Sequence, residues 1–155
     1  MKIFSLIIFL LGSIAFGQPS TTEYYNAFLS NDRTKMKAMD AELKKLQQSP
    51  KTRALRGALQ AKISLSEKDK SDQMRVFMMG KEMLEKQCRD DKDNVEYRFL
   101  RLCVQTFCNN SKYNENVQED KKAIIAGFSS LDSDLKNIVK TYAETSPVFK
   151  DVILK

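Results

Sequence analysis

Apolar side chains recur along this chain at intervals of three and four, the period that gathers them on one side of an α-helix. The stretch "STTEYYNAFLSND" sets capping-type residues ahead of Tyr24, Tyr25, Phe28 and Leu29 and predicts a short first helix, its aromatic cluster packed on the second helix. Met36, Met39, Leu43 and Leu46 mark that second helix, which Ser49-Pro50 is expected to stop, because a proline turns its predecessor away from helical backbone. A third runs from about Thr52 to Leu65 with Leu55, Ala58, Leu59 and Ile63 on its core side. The polar break "SEKDKSD" leads to a fourth over about 72–90, whose core side reads Met74, Phe77, Met78, Leu84 and Cys88. Asp93 and Glu96 frame the start of a fifth over 94–108 as a capping-box-like pair, and Asn116 with Glu119 repeats the device after the Asn-rich loop "NNSKYNEN". Ile124, Phe128, Leu131, Leu135, Ile138 and Tyr142 then keep one helical phase. Gly127, Ser129 and Ser130 nonetheless predict two helices meeting near Leu131, and Pro147 ends the second of them. No segment alternates with period two over a useful length, so the expected fold class is all-α.

The fifth helix, "NVEYRFLRLCVQTF", carries an unexpected polar stripe. Arg98, Arg101 and Gln105 fall on one arc about 60° wide, while Val95, Phe99, Leu100, Leu102, Cys103, Val104 and Phe107 fill most of the rest. A helix this apolar has little solvent frontage, and guanidinium groups placed there need acceptors. Glu119 and Asp120 supply them at the start of the next helix, where the dipole also favours carboxylates. Arg98, Arg101, Gln105, Glu119 and Asp120 are thus the candidate polar network, expected to face that helix start and the Asn-rich loop with at least one arginine–carboxylate pair. The competing reading is a ligand-binding or exposed partner-binding surface; the structural one is preferred because ion-pair networks outnumber anion sites.

The N-terminus reads as an address. Lys2, the apolar run from Ile3 to Ile14, and Ala15-Phe16-Gly17 with small residues at both recognition positions predict a cleaved signal peptide over residues 1–17. The run is shorter than the roughly 20 residues of a spanning helix, and no cysteine near Gln18 could carry a lipid anchor. Residues 18–155 are expected to form a single all-helical domain without a transmembrane segment, exported to the periplasm or beyond the cell. The net charge of +6 is spread over interleaved Lys, Arg, Asp and Glu, a pattern that argues against a nucleic-acid partner.

Composition narrows the chemistry. The chain has no histidine, which removes His-built zinc sites, Ser-His-Asp and Cys-His catalysis. Tryptophan is also absent, so paired carboxylates would lack an indole platform for a sugar, and five glycines form no phosphate loop. If 72–90 and 94–108 make an antiparallel hairpin, Cys88 lies level with about Tyr97 and Cys103 stands ~9 Å further along. Cys88, Cys103 and Cys108 are therefore expected as free thiols. Met74, Met78, Met79 and Met83 have the spacing of a thioether copper(I) site, but methionines so placed are far more often core filler. No catalytic, cofactor-binding or metal residue is assigned.

"LEKQCRDDKDNVEYRFLRL" resembles the junction between successive tetratricopeptide repeats through Glu85, Lys86, Asp91, Asp93, Asn94 and Glu96, and "RALRGALQAK" is similar to the first helix of such a repeat. Lys92 stands where that family usually has proline, and the turns at Pro50 and Asp93 are further apart than its period. The resemblance implies antiparallel helical hairpins stacked as a short, degenerate repeat-like array or an irregular bundle. The N-terminus ending in Phe-Gly-Gln, with "NVEYRFLRL", Gln105, "YNEN" and "EDKKAI", is also similar to small exported helical proteins of Bacteroidota, a likeness that brings no activity with it. Stacked hairpins offer a concave groove, so the expected function is a monomeric, non-catalytic protein- or peptide-binding module needing no cofactor. The alternative is a periplasmic small-ligand or lipid carrier with a cavity between the hairpins.

Overall fold

A computed structural model of the protein describes residues 17–65, 69–108, 115–150 and 152–154. The expected signal peptide, Gly17 apart, and residues 109–114 of the Asn-rich loop lie outside the described residues. The chain is all-α: α1 (Thr21–Leu29), α2 (Arg33–Lys45), α3 (Pro50–Ser64), α4 (Lys70–Asp90), α5 (Val95–Cys108), α6 (Val117–Gly127) and α7 (Ser133–Thr145) follow one another, with short 3-10 turns at Phe128–Ser130 and Pro147–Phe149. No strand occurs among the described residues, and none of their helices is long and apolar enough to cross a membrane. The single phase running from Ile124 to Tyr142 is broken at Phe128–Ser130, as the Gly127-Ser129-Ser130 signal requires.

Side-chain caps set most of the helix starts. Ser20 and Glu23 form a reciprocal capping box on α1, while Asp32, Asp69 and Asp132 accept first-turn amides of α2, α4 and α7. Ser49-Pro50 acts differently from expectation. It opens α3, with Pro50 in the first turn and the Ser49 hydroxyl accepting the Thr52 amide, whereas α2 has already ended at Lys45. A proline lacks the N–H that the first turn would leave orphaned, so it starts a helix at no cost. On α5 the cap is Asn94, whose Oδ1 accepts the Tyr97 amide at 3.1 Å, not the Asp93–Glu96 pair. Glu96 instead meets Lys51 at 2.9 Å. Asn116 makes no side-chain cap on α6, and Glu119 is drawn away to Arg98.

Ten of the fourteen residues of α5 are buried, and the helix packs against α3, α4 and α6. Cys88 Sγ donates to the Tyr97 carbonyl at 3.5 Å, which fixes the α4–α5 register at the level expected from the turn. All three cysteines are free, Cys88 and Cys103 buried and Cys108 half-buried. The α1 aromatics pack on α3 and α5: Tyr24 donates to the Leu55 carbonyl at 2.9 Å and the Tyr25 ring lies 5.7 Å from Phe99. Each buried aromatic contributes roughly 2–3 kcal/mol of apolar burial. Met74 and Met78 are not core residues; they are 50% and 46% exposed. The buried stripe of α4 is Phe77, Gly80, Leu84, Gln87 and Cys88, turned about 60° from the apolar pattern. Gly80 is the cause, because its missing side chain lets α3 come closest on that line and swings the methionines outward.

Candidate functional site

The polar stripe of α5 closes on itself inside the fold. Asp120, fully buried at the start of α6, takes Arg101 in a two-pronged pair, Nε to Oδ2 at 2.8 Å and Nη2 to Oδ1 at 2.6 Å. Arg98 Nη1 donates to Asp120 Oδ1 at 3.0 Å and to Glu119 Oε1 at 2.8 Å, and its Nε reaches the Lys92 carbonyl at 3.0 Å. Arg101 Nη1 also donates to Glu85 Oε2 on α4 at 2.8 Å. Burial alone would lower the Arg101 pKa, but the bonds from Asp120 and Glu85 outweigh it and raise it. Gln105 is buried one turn further along, beside Glu85 and Arg101. The structure thus brings Arg98, Arg101, Glu119 and Asp120 into one cluster with Gln105 next to it, and adds Glu85. The hairpin register could have revealed Glu85, since pairing Cys88 with Tyr97 sets Arg101 beside residues 84 and 85. Two guanidiniums facing the buried Asp120 and the largely covered Glu85 balance in charge, and the hollow beside them, about 10 Å³, holds no ligand-sized space. The cluster pins α4, α5 and α6 together.

A larger feature lies on the other side of α5. A cleft of about 1160 Å³ opens between α1, α5 and α7, lined by Asn26, Thr106, Phe107, Asn137, Ile138 and Thr141 among others. Thr106 and the Tyr142 hydroxyl, 2.9 Å apart, tie α5 to α7, and the Tyr142 ring stands edge-on to Phe99 at 5.3 Å. Lys62 of α3 reaches this cleft although only 3% exposed. Its Nζ donates to the Phe28 carbonyl at 2.6 Å and to Asn31 Oδ1 at 3.0 Å, and lies 4.7 Å and 4.3 Å from the ring centres of Phe28 and Phe107. Asn31 adopts a left-handed φ of 57°, which asparagine tolerates better than most residues, and this turns its amide toward the amine. No ion pair to Lys62 forms among the described residues.

Burial pushes the Lys62 pKa down to about 8, with the Cys103 and Cys108 thiols opposing the shift. The same burial pushes the Cys103 thiol up to about 12 and Cys108 to about 11. Sequence reasoning did not single out Lys62. Its signal is its phase, three beyond Leu59 and four beyond Ala58, inside the apolar arc of α3. Its depressed pKa sets a measurable sign. Between about 8 and the ordinary 10.5 the unfolded chain holds the proton that the folded chain has released. The Lys62 contribution to stability therefore rises with pH through that window and is lowest below it. The groups around the cleft, Tyr25 on α1, Cys103 and Cys108 on α5, and Asp134 and Tyr142 on α7, are common to parent and variant. Urea melts of parent and Lys62→Met from pH 7 to 10.5 should show the parent gaining on the variant as pH rises; a constant gap would show that the amine keeps an ordinary pKa.

No protein-family model matches the chain, and neither any curated protein nor any solved structure matches it.

Proposed function

We propose that the protein is a non-catalytic binding module, exported from the cytoplasm, that holds a short extended peptide in the cleft between α1, α5 and α7. The observation that carries this reading is the cleft itself. Its volume of about 1160 Å³ exceeds the roughly 300–1,000 Å³ typical of small-molecule pockets. Its walls combine amides and hydroxyls with apolar side chains, among them Asn26, Asn137, Thr141, Phe107, Ile138 and Val148. Side-chain amides both donate and accept, which matches the alternating C=O and N–H groups of an extended chain, while the apolar patches receive its side chains. Turnover finds little support, because the chain has no histidine and the thiol at the cleft, Cys103, is held protonated by burial. The leader expected over residues 1–17 supports the address.

The test is retention. The purified protein is incubated with a random mixture of short peptides, separated by gel filtration, and the retained species are identified by mass spectrometry. Peptides should be retained by the parent and lost from Thr141→Trp, which places an indole in the cleft from its exposed α7 wall. Retention of lipids or other small molecules in place of peptides would overturn the reading in favour of a carrier. Equal retention by the Thr141→Trp variant would remove the cleft as the site.

A further inference from the structure

We infer that Lys62 is the anion-recognition residue of the cleft and that the peptide it selects presents its free C-terminal carboxylate there. This rests on the peptide-binding reading above. An ammonium has three N–H donors, and two of those on Lys62 are taken, by the Phe28 carbonyl and Asn31 Oδ1. The third meets no oxygen or nitrogen acceptor among the described residues, only the faces of two aromatic rings, and the residue lines the cleft. Both acceptors are neutral, and no carboxylate among the described residues offsets the charge. Burying an amine in this way costs stability, whereas the buried arginines of the same protein each meet a carboxylate. A ligand carboxylate supplies the missing countercharge in a site where water is mostly excluded, which strengthens the pair. The Phe28 and Phe107 rings flank the ammonium with their faces and hold it without neutralising it.

The carboxylate is assigned to the end of a chain rather than to a side chain because every free peptide carries a C-terminal carboxylate, whereas only some sequences offer an Asp or Glu.

The probe is the set of peptides retained from the random mixture, resynthesised in free-acid and C-terminally amidated forms and titrated calorimetrically. Amidation is expected to weaken binding about tenfold or more. Lys62→Met should weaken the free acid by a similar factor and leave the amide nearly unchanged, so that the two effects do not add. Lys62→Arg keeps the charge and should restore part of the preference for the free acid. A thermal melt of each variant checks that it is folded. If peptides bind but amidation and Lys62→Met change nothing, Lys62 merely caps the end of α1 and this inference fails while the peptide reading stands. If amidated peptides carrying an internal Asp or Glu bind as well as free acids and lose affinity in Lys62→Met, the amine takes a side-chain carboxylate and the C-terminal assignment is wrong. If no peptide binds at all, both fall together.

Discussion

Replacing Asp120 by asparagine is expected to destabilise the protein by about 3–5 kcal/mol, a large share of a domain's stability. Asparagine keeps the shape and one acceptor oxygen, so the loss is electrostatic. Arg98 and Arg101 both donate to this one carboxylate, itself fully buried, and its neutralisation leaves two largely buried guanidiniums with Glu85 as their remaining covered counterion. Glu119 compensates little because its side chain is 64% exposed and screened by water. Arg98→Leu should cost less, since the two-pronged Arg101–Asp120 pair survives it. The double variant Arg98→Leu/Asp120→Asn should lie well short of the sum, because the residues share one network. Urea melts followed by circular dichroism measure all three. Should Asp120→Asn unfold within about 0.5 kcal/mol of the parent, the cluster does not pin the helices, and its conspicuous charge would need another explanation.

Gly80→Ala is expected to cost about 2–3 kcal/mol, with the opposite sign to the usual effect of that substitution in a helix. Alanine normally gains about 1 kcal/mol over glycine there. At Gly80 a Cβ would stand 2.5 Å from the Ala61 nitrogen and 2.7 Å from the Gly57 carbonyl oxygen. These are backbone atoms of α3, which cannot swing aside as a side chain does. The contact is reciprocal, because a Cβ on Gly57 would meet the Gly80 carbonyl and the Leu84 amide nitrogen at 2.8 Å. Either substitution must push α3 and α4 apart, loosening Leu59 and Leu84 together. Gly127→Ala provides a contrast, since its obstacle is a side-chain methyl of Val95 that can rotate. A Gly80→Ala variant more stable than the parent would show that the two helices are not in closest contact at this point.

The core of α5 and the sharing of carboxylates with its arginines illustrate where local reasoning reaches. Helical period, turn residues and caps act within a few positions, so the helices and the break near Leu131 could be read from the chain alone. The same local rules located Cys88 opposite Tyr97, because a short turn between two helices leaves little freedom of register. Where two signals competed for one residue, tertiary contacts chose between them. Glu96 and Glu119 look like capping residues in sequence, but Lys51 and Arg98 offer each a cationic partner, and a bond charged on both sides outweighs one to a neutral backbone amide.

What the sequence determined by itself was the all-α class, the helix succession and a polar stripe on an otherwise apolar helix that had to find carboxylates. Only the tertiary structure decided that Met74 and Met78 face outward, that Glu85 joins Asp120, and that Lys62 stands in a cleft among aromatic rings. The physical reason is common to all three. A helix pattern defines a face but not which neighbour will cover it, and at α4 the absence of two side chains, at Gly57 and Gly80, outweighed the presence of methionines. A cleft has even less of a local signature, since its walls come from helices far apart in the chain and its existence depends on how those helices fail to fill the space between them.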